Sequence, residues 1–144
     1  MKRAGPMLSL LLANAATSAV AGAQTVPTLK PGAWQLHTRI STSAGADALS
    51  PSVCLDAMPA AQREAEQANI RSRCSTYDAR VVGDKWVVDA VCAARGHTVT
   101  KHTVTSLAGD SFREENTGPD GASMISTGKR LGPCRPGQQP EAYK

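Results

Sequence analysis

The stretch Cys74–Cys92, CSTYDARVVGDKWVVDAVC, predicts a β-hairpin around which the rest of the chain can be placed. Two runs of alternating apolar and polar residues flank Gly83-Asp84, a dipeptide typical of a two-residue turn. If Val82 faces Lys85 across this turn, the bulky apolar side chains share one face of the hairpin and the charged ones the other. A one-residue slip would mix the two faces, so the pattern favours this register. It pairs Val81 with Trp86, Ala79 with Val88, and Tyr77 with Ala90.

Residues 1–23 have the pattern of a secretory signal peptide. Two basic residues precede an apolar run from Met7 to about Val20, and Ala21-Gly22-Ala23 fits the rule for a cleavage site. The apolar run is shorter than the ~20 residues that a membrane span needs. We therefore expect a mature chain that begins at Gln24, has no membrane span, and is periplasmic or secreted.

Charge and aromatic content bear on the partners of the mature chain. Without residues 1–23, fourteen basic residues stand against twelve acidic ones, so the formal charge falls from +4 to +2. No cluster of lysine and arginine is interleaved with aromatic residues, as a nucleic-acid surface requires. We expect no nucleic-acid partner. Aromatic residues make up only 3% of the chain, so the core must be built from Val, Leu, Ile and two Trp.

Turn signals divide the rest of the mature chain into further strands. Ala33 to Ser41 alternates apolar and polar residues and is the predicted first strand. A Thr-rich strand follows the hairpin and ends at a predicted two-residue turn, Gly109-Asp110, which would place Leu107 opposite Phe112. The last strand is predicted from Ala122 to about Arg130.

One helix is predicted between the first strand and the hairpin, from Asp56 to about Arg71. Asp56 can cap it, and Pro59 is tolerated in its first turn. Residues 41–52, before the helix, are expected to be a flexible connection. The helix has only a thin apolar stripe and is expected to act as a lid over the sheet. That stripe consists of Met58, Ala61, Ala65 and Ala68.

The predicted fold class is mainly β (α+β), with one single disulfide-stapled domain over residues 24–134. It is a curved antiparallel β-meander of about six strands with one short helix inserted after the first strand. Such a sheet either curls toward a half-barrel or uses the helix to cover one face. The polar residues 135–144 are expected to form a disordered tail.

Four cysteines in an exported chain indicate two disulfides, with three possible pairings. The hairpin register disfavours Cys74–Cys92, because it places these two side chains on opposite faces of the sheet. We expect Cys54–Cys74, which would pin both ends of the helix, together with Cys92–Cys134. The alternative, a zinc site, is disfavoured because spacings of 20, 18 and 42 residues include no close cysteine pair.

The ionisable residues form no recognisable catalytic constellation. His97 and His102 are five residues apart on a predicted strand, so they point to opposite faces, and His37 lies on the polar face of the first strand. No GxSxG elbow, HExxH motif or glycine-rich phosphate loop occurs. We expect no catalytic residues, no metal ligands and no cofactor.

One face of the two strands after the hairpin mixes threonine hydroxyls, apolar side chains and charges. It is either a solvated sheet face or a groove for a small ligand, a peptide or a cell-envelope component, oriented by Lys101 and Glu114. The candidate ligand residues are Lys101, Thr103, Thr105, Phe112 and Glu114.

Short motifs in a fixed order carry a family resemblance. PGAW (Pro31 to Trp34) opens the first strand, four cysteines follow, and LGPC (Leu131 to Cys134) closes the domain. This order resembles the family of small exported bacterial proteins filed as domain of unknown function 3617, over about residues 29–134. The resemblance implies a soluble single domain of unassigned role, with no catalytic residues to transfer. It also implies structural roles for Trp34, as a core anchor, and for Gly32 and Gly132, as turn residues; the hairpin pattern adds Trp86 as a further anchor.

These patterns support two hypotheses of different classes. The first is a monomeric, non-enzymatic module that binds a small molecule or an envelope component on its sheet face. The alternative is a periplasmic inhibitor or accessory protein that acts on a protein partner through an exposed loop, Ala44–Ser52 or Asn116–Gly121. A third hypothesis is an enzyme that uses His97 or His102. It predicts loss of activity on His→Ala substitution, but the sequence suggests no substrate class on which to test it.

Overall fold

The computed structural model describes residues 26–138, 140 and 141, so the predicted signal peptide lies outside the described residues. The described chain forms one sheet and one α-helix, with a short 3-10 turn at Pro119–Gly121. The elements in chain order are β1 (Gly32–Thr42), β2 (Gly45–Leu49), β3 (Ser52–Leu55), α1 (Ala60–Ser72), β4 (Cys74–Val82), β5 (Lys85–Ala94), β6 (His97–Ser106), β7 (Ser111–Thr117), β8 (Ser123–Gly132) and β9 (Pro140–Glu141).

The sheet is an open antiparallel meander in which the first strand lies beside the last long one. Its strand order is β4-β5-β6-β7-β8-β1-β3-β9, and β2 pairs with β1. The six predicted strands are β1 and β4 to β8, which confirms the predicted fold class. The predicted flexible connection over residues 41–52 is wrong in part, because β2 and the start of β3 lie within it and pair with β1.

The β4–β5 hairpin has the register that its apolar pattern predicts. Val82 lies opposite Lys85 and Val81 opposite Trp86. Trp86, Val88, Ala90 and Cys92 form the core cluster, and Tyr77 and Ala79 of β4 pack against it. We call the side of the sheet that carries this cluster the inner face, and the opposite side the outer face.

The disulfide at the open end of this hairpin corrects the predicted pairing. Cys74 is bonded to Cys92, not to Cys54. A β-bulge makes this possible: Cys74 lies opposite Cys92 while Thr76 lies opposite Val91, so Ser75 is an extra residue on β4. An extra residue rotates the side chains before it to the other face of the sheet. Cys74 therefore reaches the inner face although the rest of the register is unchanged.

The second disulfide joins Cys54 to Cys134, so the predicted Cys92–Cys134 bond is also wrong. Cys134 follows β8, and β8 and β3 are both neighbours of β1, which brings Cys134 to a Cα–Cα distance of 5.5 Å from Cys54. Cys92 lies on β5, three strands from β8, or about 14 Å along the sheet. That distance is beyond the span of a disulfide. Two disulfides are typical of oxidising compartments and indicate a location outside the cytoplasm.

The β6–β7 connection differs from the predicted two-residue turn. Thr105 lies opposite Phe112, where Leu107 was predicted, and Leu107 to Asp110 form a four-residue loop. Ser106 closes this loop: its Oγ accepts the backbone N–H groups of Asp110 and Ser111, at 3.0 and 3.1 Å. The register moves by two residues, so every side chain keeps the face that was predicted for it.

Helix α1 begins at Ala60, four residues later than predicted. Pro59 precedes the first helical residue, and Asp56 accepts the backbone N–H of Ala57 instead of capping the helix. Met58 precedes Pro59, and the residue before a proline disfavours helical backbone angles. Met58 therefore lies outside the helix.

Two further predictions concern the ends of the domain. Strand β9 lies within residues 135–144, the predicted disordered tail, and Pro140–Glu141 pairs in parallel with β3; residues 139 and 142–144 lie outside the described part. Gly32 and Gly132 both have positive φ angles, but they lie at a bulge between β1 and β8 and not in turns. The predicted anchors Trp34 and Trp86 are 0% and 2% exposed.

Candidate ligand-binding site

A cavity of about 710 Å³ lies between α1, the segment that precedes β1, and the inner face of the sheet. Its floor is formed by side chains of β6 and β7, its roof by α1 with Met58, and its side wall by residues 26–29. The floor residues are Thr103, Thr105, Phe112 and Glu114.

The floor exists because strand pairing brings four of the five predicted ligand residues together. Thr103 lies opposite Glu114, and Thr105 lies opposite Phe112. Residues two apart on a strand share a face, so these two pairs form adjacent rows on the inner face. Thr105 is buried, and Thr103, Phe112 and Glu114 are half-buried. The floor therefore presents a ring, two hydroxyl groups and a carboxylate to the cavity.

The fifth predicted residue, Lys101, contacts Glu114 without lining the cavity. Lys101 Nζ lies 3.8 Å from Glu114 Oε1, and both side chains are about a third exposed. This distance is too long for a hydrogen bond, so the pair is a charge–charge contact worth ~1 kcal/mol or less. Asn116, which the sequence reasoning missed, donates from Nδ2 to the same oxygen at 2.6 Å. It lies two residues after Glu114, and the strand period could have identified it.

The roof follows from the connectivity of the chain. Helix α1 joins β3 to β4, which lie toward opposite edges of the sheet, so it has to cross one face. Its 13 residues span about 20 Å, against about 29 Å for the six strand spacings from β3 to β4. None of its residues is buried. The helix therefore covers the inner face without sealing it, in agreement with the predicted lid.

Contacts at both ends of the helix hold the roof in place. The Arg71 guanidinium lies 4.9 Å above the centre of the Tyr77 ring, in the geometry of a cation–π contact. Arg63 donates from Nη1 to the Met58 carbonyl at 3.1 Å. Of the predicted apolar stripe, Met58 and Ala68 line the cavity, whereas Ala61 and Ala65 are exposed and do not. The full roof consists of Met58, Arg63, Glu64, Glu66, Gln67, Ala68 and Arg71.

The side wall is the segment of the chain that precedes β1. Val26 packs against the core cluster, and Pro27, Thr28 and Leu29 line the cavity. The Lys30 backbone N–H donates to the Gly109 carbonyl at 2.8 Å, and Trp34 Nε1 donates to the Lys30 carbonyl at 2.9 Å. No periodicity marks this segment, so only its tertiary contacts reveal its place at the site.

The outer face carries a separate network of ion pairs. Asp89 accepts from His102 Nδ1 at 2.6 Å and from Arg80 Nη2 at 2.8 Å, and Arg80 also contacts Asp78 at 2.8 Å. The hydrogen bond from His102, followed by the one from Arg80, lowers the pKa of Asp89. The hydrogen bond that Arg80 donates to Asp89 raises the pKa of the Arg80 guanidinium. Alternation along β6 places His97 on the inner-face side of its strand, away from His102.

The cavity can provide apolar contact and hydrogen bonds, and the Asp89–His102 pair lies on the other side of the sheet from it. Within residues 26–138, 140 and 141, no three His, Cys, Asp or Glu side chains are grouped so that they could hold a metal ion. In the same described ranges, the only α-helix is too short and too polar to cross a membrane.

Comparison with known proteins gives a family and no named relative. No curated protein and no solved structure matches this chain. The family model of proteins of unknown function DUF3617 matches residues 29–134, a range that extends from the side wall of the cavity to Cys134. The chain therefore belongs to the DUF3617 family.

Proposed function

We propose that this protein is a non-enzymatic, periplasmic or secreted monomer that binds one small amphipathic molecule in the cavity beneath α1. The observation that carries the proposal is the cavity itself: about 710 Å³ above four of the side chains that the sequence pattern marks as a ligand face. Small-molecule sites in proteins have volumes of ~300–1,000 Å³ and combine apolar walls with a few polar groups.

The lining suggests how such a molecule would lie. Phe112, Leu29 and Met58 come from floor, wall and roof, so an apolar body would contact all three. Thr103, Thr105 and Glu114 are adjacent on the floor and would orient the polar end by hydrogen bonds. Phe112 is itself held in place by Trp34, with the two ring centres 6.0 Å apart.

The weak packing of α1 suggests how a ligand reaches the cavity. Because α1 buries none of its residues, moving it away from the sheet costs little apolar burial. Segments with few buried contacts are the ones that open most readily. We expect the ligand to enter by displacement of α1, while the disulfides at Cys54 and Cys74 keep both flanks of the helix attached to the sheet.

Binding of the neutral fluorescent probe N-phenyl-1-naphthylamine tests the proposal. We expect saturable binding of one probe per chain. Thr103→Lys should weaken it at least about tenfold, because it places a charged chain on the cavity floor, opposite Glu114 with which it can pair. The matched control is Thr100→Lys on the outer side of the same strand, opposite Thr117, which should leave probe affinity unchanged. Absence of saturable binding by the wild type, or equal loss in both variants, would overturn the proposal.

The second candidate function, an inhibitor or accessory protein, is favoured by the β2 segment. All five residues of β2 are exposed, including Leu49 at 61%, and the strand pairs only with β1 among the described elements. Such a surface could contact a protein partner. Replacing residues 44–52 should abolish this function and spare probe binding, whereas Lys101→Ala combined with Glu114→Ala should do the opposite.

A further inference from the structure

We infer a second binding site, on the outer face of the sheet, that takes the phosphate or sulfate group of an anionic ligand. A hollow of about 250 Å³ lies where β1, β8 and β7 run side by side, and β2 borders it. Its polar lining includes two arginines, one histidine and three hydroxyl-bearing residues, and no acidic residue. These are His37, Thr38, Arg39, Ser50, Arg113 and Thr127.

Strand register explains why these side chains meet. His37 lies opposite Thr127 on β8, and Thr127 lies opposite Arg113 on β7, so the three form one row across adjacent strands. Arg39 is two residues from His37 and projects from the same face. Arg39 and Arg113 are two strand spacings and one two-residue step apart, about 12 Å between their Cα atoms, which two arginine side chains can bridge around one tetrahedral anion.

The charge balance of the outer face differs between its two ends. Toward β4, Arg80 and His102 are bonded to Asp78 and Asp89, so each basic group has an acidic partner. Around the hollow, Arg113 is paired with Glu115 at 2.8 Å. Arg39 makes no salt bridge to any residue that the structure describes. The hollow therefore carries one cationic group, Arg39, that has no acidic partner among these ion pairs.

The hydrogen bonds already present leave donors free for an anion. Arg113 uses Nη2 for Glu115, and a guanidinium carries five N–H donors in all. His37 Nδ1 contacts Ser50 Oγ at 2.8 Å, which orients the ring and leaves Nε2 available. Arginine is well suited to phosphate and sulfate, because its planar fork bonds two oxygens at once. This site is independent of the cavity, since the sheet separates them.

The test uses the mature protein, isotopically labelled, at ~0.15 M ionic strength. Inorganic phosphate is titrated while the amide signals of β1, β7 and β8 are followed by NMR. In parallel, flotation measures binding to phosphatidylcholine vesicles with and without phosphatidylglycerol. Saturable shifts centred on Arg39 and Arg113 support the site. Binding to phosphatidylglycerol vesicles in addition identifies a lipid headgroup as the source of the anion, whereas phosphate binding without vesicle binding identifies a soluble anion.

Two variants distinguish anion binding at the hollow from non-specific attraction to the net positive charge of the protein. Arg39→Gln should weaken whichever binding is observed by about tenfold or more, the loss expected for one charge-assisted hydrogen bond. Arg80→Gln removes the same charge from the paired end of the outer face and should change the affinity less than about twofold. Equal weakening by both variants, or the absence of both saturable phosphate shifts and vesicle binding, would overturn the inference. Neither variant touches the cavity, and a cooperative urea transition shows independently that each variant is folded.

Discussion

Gly128 of β8 shows how a single missing side chain shapes the cavity floor. It lies opposite Phe112, and a Cβ atom at position 128 would collide with the Phe112 ring. The ring therefore rests on the bare backbone of β8, in the arrangement by which aromatic residues cover glycine in sheets. This placement also sets its contact with the fully buried Trp34.

Gly128→Ala should therefore destabilise the protein by ~1–3 kcal/mol, the usual cost of overpacking a close contact. The free energy of unfolding, measured by urea denaturation, reports the effect. Gly118→Ala is the matched control: its nearest neighbour would be the Ala122 carbonyl at 3.8 Å, an ordinary contact, and its φ of −99° suits any residue. If Gly128→Ala were as stable as the wild type, Phe112 could not occupy the position described.

Asp89 links stability to pH through the outer face. Its pKa is lowered in the folded state by the hydrogen bonds from His102 and Arg80. A carboxyl group with a lowered folded-state pKa contributes stability that is complete above the unfolded pKa of ~3.9 and is lost as the pH falls through the folded value. Because the side chain is 45% exposed, we expect a contribution of ~1 kcal/mol or less.

Asp89→Asn should accordingly lower the urea midpoint at pH 7, and its difference from the wild type should shrink below about pH 4. Asp84→Asn, at the exposed hairpin turn, serves as the control and should have little effect on the midpoint, since its carboxylate is 86% exposed and 3.7 Å from Lys85. A difference that persists unchanged in acid would show that Asp89 acts through something other than its charge.

At the scale of elements, the two disulfides act on the same helix from its two sides. Cys54 on β3 precedes α1 and is bonded to Cys134, and Cys74 follows α1 and is bonded to Cys92. Each bond ties a flank of α1 to the sheet, while the helix itself buries no residue. The attachment of the lid therefore depends more on covalent bonds than on packing.

The two disulfides close loops of different length, and this predicts unequal effects on stability. The sequence separations are 80 residues for Cys54–Cys134 and 18 for Cys74–Cys92. By loop-closure entropy, removing the first by paired Cys→Ser substitution should cost about 4.5 kcal/mol and removing the second about 3 kcal/mol. Urea denaturation of the two double variants measures the difference.

Non-reducing peptide mapping of the wild type checks the pairing on which this prediction rests. Finding Cys54 joined to Cys74 would contradict both the bulge at Ser75 and the order of stabilities. Mapping that recovers the two observed bonds, with equal stabilities for the two double variants, would instead show that loop length does not govern their contribution.

At the scale of the molecule, one connection creates both the cavity and its lid. Because β1 pairs with β8, the chain that leaves β3 must return across the sheet to start β4 at the far edge. The helix in that connection covers the inner face, and the ion-pair network around Asp89 lies on the outer face. One sheet thus presents two surfaces of different chemistry, a partly covered amphipathic one and an exposed charged one.

Local pattern by itself determined six of the strands, β1 and β4 to β8, the hairpin register and the face of each candidate ligand residue, because alternation along a strand can be read from neighbouring residues alone. It also predicted all four side chains of the cavity floor and a helix that acts as a lid. The disulfide pairing was decided by the tertiary structure: one extra residue at Ser75 reverses the face of Cys74, and the β1–β8 pairing brings Cys134 to Cys54. The side wall at residues 26–29, the roof and the basic hollow likewise depend on contacts between segments distant in the chain. Such contacts cannot be predicted from local periodicity, since they form only when the sheet has been assembled.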